Sequence, residues 1–435
     1  MRVSISTLGC PKNVVDSERL VRSLLSRGVP VVDDPRAADI LVVNTCGFIR
    51  DAKEESIGEV LRLAEIKNSS GAKRLVVIGC LAERYREELI KEIPEIDVIW
   101  GVGKEGEVVE YCEQLAKGRG QESRDGEGAA RGTLNSSYAY LKIAEGCDKR
   151  CTFCVIPSIR GRFRSFKPDV ILSEAEQHIK NGIREIILIA QDITSYGKGL
   201  KGYNLLSLLR DLTSLSGEFY IRLLYLYPTG IKDELIGFIA TNDRILKYLD
   251  IPLQHSEDRI LRLMGRSGTK RAYRDLLRRL RQDIPDIALR TTFIVGFPTE
   301  TEEEFKHLID FIEEIGFDRL GVFKYSREEG TYAGRLKGHI PEKVKQRRYD
   351  EIMRRQALIS LTKNRELIGR RFRAIIDGVD RGVAIARLYS HAPEVDGVVV
   401  IEDKQRAIKT GDLVDVEIVE ADVYDLKAVL VDPSP

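Results

Sequence analysis

Short apolar runs alternate with longer amphipathic stretches along most of the chain. Runs near residues 2–8, 40–44, 75–79 and 97–100 are rich in Val and Ile and read as buried strands. Between and after them, the spacing of apolar positions predicts helices near 15–27, 50–67, 84–93 and 105–116. Strands alternating with helices argue for a parallel sheet, so residues 1–116 are expected to form an α/β domain. Residues 117–136 break the pattern with glycines and mixed charges, as a flexible linker does. The alternation then resumes in a domain spanning 137–368, with strands expected at 138–144, 185–190, 219–226, 247–252, 287–295 and 317–325. Helical patterns such as 168–181, 203–214, 271–283 and 302–315 lie between them. Six such units suggest a partial (β/α)6 barrel, with its chemistry at the carboxyl ends of the strands. A long charged helix over 341–368 follows, with Tyr349, Ile352, Met353 and Ile359 on one face and a basic opposite face. Residues 369–435 switch to short alternating strands at 371–377, 382–388, 397–402, 412–420 and 425–431, which suits a small five-stranded OB-like β-barrel.

Cysteines carry the chemistry of this pattern. Cys147, Cys151 and Cys154 are spaced C-x3-C-x2-C directly after the first strand of the second domain. Three thiolates this close suit one soft metal centre. A structural zinc site normally has four ligands, and so does a protein-bound iron–sulfur cluster. A cluster held by three cysteines leaves one iron open for a substrate; a zinc knuckle with a remote fourth ligand is the alternative. The spacing, with Phe153 before the last cysteine, resembles the signature of the radical S-adenosylmethionine (SAM) enzymes. In that superfamily the open iron chelates the methionine part of SAM, and an electron from the cluster splits it.

Cys10, Cys46 and Cys80 each close one of the buried strand runs of the first domain. Loops at the carboxyl ends of parallel strands share one edge of the sheet, where ligands collect. These three cysteines are therefore expected to meet and to form a second three-thiolate site. Buried packing is the alternative for any one of them. Cys112 lies within a helical pattern and is assigned to packing.

Composition narrows the setting. The 435 residues are 43% hydrophobic and 31% charged, with a net charge of +1. That is ordinary for a globular protein and gives no strong polyanion-binding field. No apolar run approaches the ~18 residues of a membrane span. The chain starts on a strand, and its clustered cysteines indicate a reducing compartment, so a cytoplasmic location without a signal peptide is expected. Residues 369–435 hold nine Lys/Arg against thirteen Asp/Glu, a surface that repels phosphates and suits a basic partner.

The chain resembles the methylthiotransferases along nearly its whole length: an N-terminal methylthiotransferase domain, a radical SAM core and a C-terminal TRAM domain. The resemblance rests on Leu8-Gly-Cys-Pro-Lys-Asn13, Asn44-Thr-Cys-Gly-Phe-Ile-Arg-Asp-Ala-Lys-Glu-Glu-Ser56 and Gly146-Cys-Asp-Lys-Arg-Cys-Thr-Phe-Cys154. Ala190-Gln-Asp-Ile-Thr-Ser-Tyr-Gly197, Pro252-Leu-Gln-His-Ser256 and Ala392-Pro-Glu-Val-Asp-Gly397 add to it. Pro11, Lys12 and Asp148 make the chain most similar to the branch that modifies an aspartate of a small-subunit ribosomal protein, rather than the MiaB branch that acts on transfer RNA adenosine.

The resemblance implies two 4Fe-4S clusters, one on Cys147, Cys151 and Cys154 and an auxiliary one on Cys10, Cys46 and Cys80. It implies SAM as methyl donor and radical source, and clusters that face one cavity. The implied partners are a basic ribosomal protein substrate and an electron donor, with no membrane, and the enzyme is expected to be a monomer. Phe153, Gln191 and Gly296 are the expected cofactor contacts. Gln254 and His255 are expected to shape the cavity, with a hydrogen-bonded structural role the alternative for His255, and Glu394 and Asp396 are candidates for touching a basic substrate, with simple solvation the alternative. A transfer RNA methylthiotransferase and a non-catalytic iron–sulfur carrier remain the competing functions.

Overall fold

The computed structural model describes residues 1–118, 136–402 and 408–432. Most of the expected linker, 119–135, lies outside the described residues. The chain divides into two compact units: 1–134 together with 155–162, and 135–154 together with 163–435. The long charged helix and the C-terminal barrel thus belong to the same unit as the core.

The first unit is built on a four-stranded sheet, Val3–Thr7, Ile40–Thr45, Arg74–Gly79 and Val98–Ile99, in sequence order and parallel throughout. Its two central strands are apolar at most positions, because both faces of the sheet are covered. Leu41, Val43, Leu75 and Val77 pack with Val60 and Leu63 of the helix Arg50–Ser70. Ile40, Val42, Val76 and Ile78 pack on the other face with Leu20 and Leu24 of Pro11–Ser26 and with Val108 and Cys112 of Glu105–Gly118. Cys112 is fully buried there, as its assignment to packing requires. The first helix starts at Pro11 rather than near residue 15, because proline is preset for the first helical position, where its missing N–H costs nothing.

In the second unit six parallel strands run in sequence order: Tyr138–Lys142, Glu185–Ile189, Tyr220–Leu223, Ile245–Asp250, Ala288–Val295 and Arg319–Lys324. The first and last do not pair, so the barrel is open. A small hairpin of Ala144–Glu145 with Arg164–Ser165 brackets the cysteine loop. One face of each strand enters the main core, for example Ile186, Leu188, Ile221, Leu223 and Leu249. The other face carries a cluster of polar side chains among its apolar ones: Tyr138, Tyr140, Glu185, Arg222, Tyr248, Asp250 and Arg290.

That polar face receives the C-terminal domain, a closed five-stranded barrel of Arg371–Asp380, Val383–Arg387, Val399–Glu402, Leu413–Ala421 and Leu426–Leu430. Glu185 is wholly buried between Arg222 (Nε to Oε1, 2.5 Å) and Arg387 of the barrel (Nη1 to Oε2, 2.7 Å). Burial alone would push the Glu185 carboxyl up, but the two arginines bring it below the usual carboxylate range. Arg222 also donates to the Tyr389 carbonyl at 2.6 Å, and Tyr248 donates to Asp396 at 2.7 Å. Arg319 Nη2 stands 2.7 Å from Nε2 of the fully buried His391. Arginine can only donate, so Nε2 is the acceptor and the ring is neutral.

Burial, and then the nearby Arg319, Arg222 and Arg387, hold the His391 pKa well below its ordinary value. The unfolded chain takes up a proton below about pH 6.5 that the folded chain refuses. Stability is therefore complete above that pH and falls below it, by up to about 1.4 kcal/mol per pH unit. The urea midpoint is expected to drop between pH 8 and pH 5.5, and His391→Gln is expected to flatten that drop. An equal drop in the variant would assign it to other groups.

Candidate active site

In the first unit the register of the sheet sets Thr7 beside Asn44 and Thr45 beside Gly79, so three strands end at one level. Cys10, Cys46 and Cys80 follow those ends. Two glycines let the loops close on one another. Gly9 has φ +94°, and a Cβ there would lie 2.6 Å from Cys46 Cβ and 2.9 Å from its Sγ. A Cβ on Gly47 would lie 2.8 Å from the Cys80 carbonyl carbon. The three thiols sense one another: Cys10 and Cys80 both raise the Cys46 pKa, after burial, which is the largest cause and pushes it up to about 11. Burial likewise raises Cys80.

A polar network lies beneath them. Asn13, almost fully buried, donates to the carbonyls of Leu8 (2.7 Å) and Thr45 (3.1 Å). Its Oδ1 accepts from Arg160 Nη2 at 2.6 Å and lies 4.0 Å from Cys80 Sγ. Arg160 also meets Asp16 at 3.3 Å. Ser56 Oγ accepts from Cys46 N and donates to Cys46 O, fixing that loop at 2.9 and 3.0 Å. Asn13, Asp16 and Arg160 were not identifiable as site residues from the pattern of the sequence. Arg160 lies 150 residues from Cys10 along the chain, in a five-residue helix, Ile156–Arg160, that joins the first unit.

In the second unit Cys147, Cys151 and Cys154 are half-buried in one loop. Lys149 N donates to Cys147 Sγ at 3.4 Å, and Cys154 N to the Cys151 carbonyl at 3.1 Å. Burial raises the Cys147 thiol, and Cys151 adds to that. Thr152 anchors the loop through its N–H to the Met264 carbonyl (2.9 Å) and its hydroxyl to the Leu263 carbonyl (2.7 Å). Arg266 Nη1 lies 3.9 Å from Cys151 Sγ.

The other expected residues fall into distinct roles. Phe153 packs beside Ile260, Met264, Phe297 and Tyr325, so it holds the loop down. Gln191 sits at the end of its strand, with Nε2 on Glu145 at 2.9 Å. Its Oε1 is buried and accepts no hydrogen bond from the described residues. Gly296 (φ +73°) gives its N–H to the Glu300 carboxylate, and a Cβ there would strike Lys345 at 2.3 Å. His255 is fully buried, with Nδ1 accepting from Glu257 N at 3.0 Å, while Nε2 lies 3.9 Å from Glu300 Oε1 and makes no hydrogen bond with the described residues.

Glu394 and Asp396 are not free acids awaiting a basic partner. Glu394 accepts from Tyr138 (2.8 Å) and Tyr140 (3.2 Å). The Asp396 side chain is 3% exposed and bonds Tyr248 and the Ala392 N–H. Both tie the C-terminal barrel to the core. Sequence spacing could not distinguish this, since their partners are some 150 to 250 residues away.

Among the described residues no three His, Cys, Asp or Glu side chains are arranged to hold a single metal ion. Both donor sets are made of cysteines, the ligand type that holds iron–sulfur clusters. The unanswered Gln191 Oε1 and the buried, unpaired Arg266 Nε leave hydrogen-bonding capacity near the second triad, as a bound polar cofactor would require.

Asp396→Lys is expected to destabilise the second unit by roughly 3–5 kcal/mol, since it breaks a buried charge pairing and leaves Arg290 facing a like charge. Thermal unfolding checks this; an unchanged melting temperature would return Asp396 to the substrate-contact role.

Comparison with known proteins places these sites in context. Residues 2–101 match the uncharacterized protein family UPF0004, 141–312 the radical SAM superfamily and 368–431 the TRAM domain. The chain is 55% identical over 428 residues to the ribosomal protein uS12 methylthiotransferase RimO of Thermodesulfovibrio yellowstonii, covering 98% of this chain and 99% of that one. It is 45% identical to RimO of Acetivibrio thermocellus, covering 100% and 99%. Among solved structures it is similar to the radical SAM methyltransferase TsrM from Kitasatospora setae, determined with cobalamin and a [4Fe-4S] cluster bound. The TM-score is 0.56 at 14% identity, covering 88% of this chain and 80% of that one, a likeness of fold. OxsB, a cobalamin-dependent radical SAM enzyme, gives a TM-score of 0.53 at 14% identity over 82% and 56% of the two chains.

Proposed function

Because the chain belongs to the RimO family of ribosomal protein uS12 methylthiotransferases, we propose that Cys10, Cys46 and Cys80 hold one 4Fe-4S cluster and Cys147, Cys151 and Cys154 another. The protein is a radical SAM methylthiotransferase of uS12 that uses an iron–sulfur cluster and SAM. Its target atom is the β-carbon of an aspartate. It works in the cytoplasm as a monomer, with a separate one-electron donor. No helix of the described residues is long and apolar enough to cross a membrane.

The observation that carries the two-cluster reading is the convergence of two separate thiol triads, each one ligand short of a closed cluster. When bound, a three-thiolate cluster supplies an open iron and an electron to SAM, and so reaches a C–H bond that acid–base chemistry at neutral pH leaves untouched. The chain's own residues do the rest. Thr152 and Phe153 fix the second loop, so that its thiols need not be reorganised when metal enters. Gln191, held by Glu145, presents a buried amide oxygen as an acceptor for an ammonium or hydroxyl donor of SAM. Gly296 and Glu300 shape a neighbouring strand end and hold its backbone rigid. Asn13 and Ser56 hold the loops of the first triad.

The transfer RNA alternative loses ground on the relatives alone. The acidic composition of the C-terminal domain no longer argues strongly for a basic substrate, since Asp377, Glu394 and Asp396 are used inside the fold.

Anaerobically reconstituted protein is expected to bind about eight irons, and replacing either triad by alanine to leave about half. Loss of the second triad is expected to abolish reductive cleavage of SAM. Loss of the first is expected to abolish sulfur insertion while some cleavage persists. The substrate test offers uS12 and an isopentenylated transfer RNA together and reads both by mass spectrometry. A methylthio mass gain on the uS12 aspartate is expected; a gain on the RNA alone overturns the assignment.

A further inference from the structure

Each thiol triad has one arginine close by, and the two arginines differ in how their charge is answered. Arg266 follows the helix Asp258–Leu263 in a tight turn made possible by Gly265 (φ +65°), whose Cβ, if it had one, would lie 2.4 Å from the Arg150 carbonyl. The turn is thus pressed against the cysteine loop itself. Arg266 Nη1 reaches Cys151 Sγ at 3.9 Å, and Nη2 donates to the Pro252 carbonyl. The guanidinium lies 4.1 Å over the Tyr227 ring, which also carries Lys149 Nζ at 4.1 Å. The Lys149 charge is met by Asp192 at 3.3 Å. Among the described residues Arg266 makes no ion pair with a carboxylate, and the ionisable groups acting on it most strongly are Cys151 and the phenols of Tyr227 and Tyr273. Its Nε is buried without an acceptor. In the first unit Arg160 faces Cys80, but it is ion-paired with Asp16 at 3.3 Å and bonded to Asn13 at 2.6 Å.

A guanidinium does not lose its proton in a protein, so this charge is permanent. A fixed cation beside a ligating sulfur favours the more negative, reduced state of the metal centre. Net charge and hydrogen bonds to sulfur are the protein's means of setting a cluster's potential. An ion-paired arginine presents little net charge and does so weakly.

We propose that Arg266 is a positioning residue of the radical centre, holding the Cys151 thiolate and raising the reduction potential of the cluster bound there, whereas the Arg160–Asp16 pair leaves the other centre close to its intrinsic potential. The two units thereby bias an incoming electron toward the centre that must pass it to SAM. This rests on the two-cluster reading.

The test is an anaerobic redox titration followed by electron paramagnetic resonance, with each centre isolated by replacing the other triad with alanine. Iron content is measured first: a background that binds no iron refutes the two-cluster reading and is distinct from any result on potential. With the second centre loaded, Arg266→Gln is expected to make reduction about tenfold less favourable, a fall of ~59 mV for a one-electron couple. Arg266→Lys, which keeps the charge, is expected to recover more than half of that. In the first centre Asp16→Asn is expected to raise the midpoint, because it weakens the pairing of Arg160, and Arg160→Gln is expected to shift it less than Arg266→Gln shifts the second. An unchanged midpoint in loaded Arg266→Gln, or an equal shift in Arg266→Lys, overturns the inference. Should Arg266→Gln lose its iron, the Asp16→Asn arm decides, and an unmoved midpoint there overturns it as well.

Discussion

Parallel strand register is the constraint on which the first candidate site depends. Three neighbouring strands in register end at one level, and whatever follows them is delivered to one edge of the sheet. Cys10, Cys46 and Cys80 are up to 70 residues apart in sequence and have no other reason to meet. The arrangement tolerates little side-chain volume. Gly79 has φ +96°, and a Cβ there would lie 2.5 Å from Asn44 Oδ1, while Gly9 is pressed against Cys46 itself. Asn13 then satisfies the carbonyls that the loops leave behind, so the network under the thiols is closed rather than half-made.

The second unit answers a different problem. An open barrel of six strands exposes its inner face, and here that face carries many charged and tyrosine side chains. The C-terminal domain covers part of it by placing Arg387, Tyr389, His391, Glu394 and Asp396 against Glu185, Arg222, Arg319, Tyr138 and Tyr248. Burying this many charges gains little net stability, because desolvation offsets the attraction. What it fixes is geometry: a greasy contact slides, whereas Glu185 held between two arginines has one arrangement that leaves no charge unanswered. The barrel is therefore an integral part of the core rather than a tethered accessory.

Much of this was legible in the sequence. Apolar runs ending in cysteine marked both the sheet and the edge where its three cysteines meet, and the short alternating strands after residue 369 marked the closed barrel. The local cysteine spacing was sufficient for the second triad, since a loop of eight residues brings its own cysteines together. What escaped was whatever depends on partners distant in the chain. Asp396 looked like an exposed acid because its partners, Tyr248 and Arg290, are over 100 residues away. Arg160 and Arg266 each sit in an unremarkable loop or short helix, and only folding sets them beside a thiol. Gly296 was placed at a strand end correctly, but its crowding by Lys345 could not be read from spacing.

The two triads thus depend on the fold to different degrees. The second is a local loop, pinned by two hydrogen bonds from Thr152 and by the packing of Phe153, and its thiols stay neighbours even when the surrounding sheet loosens. The first is dispersed, and its thiols are neighbours only while three strands keep register. Metal binding to such a dispersed set is folding free energy, because the unfolded chain offers no preformed site. A cluster held as proposed on Cys10, Cys46 and Cys80 would therefore stabilise the first unit as a whole, while one on Cys147, Cys151 and Cys154 would stabilise chiefly its own loop. The tighter packing around the first triad, with Cys46 and Cys80 buried and Asn13 closing the network below, is what holds three thiols from distant segments together.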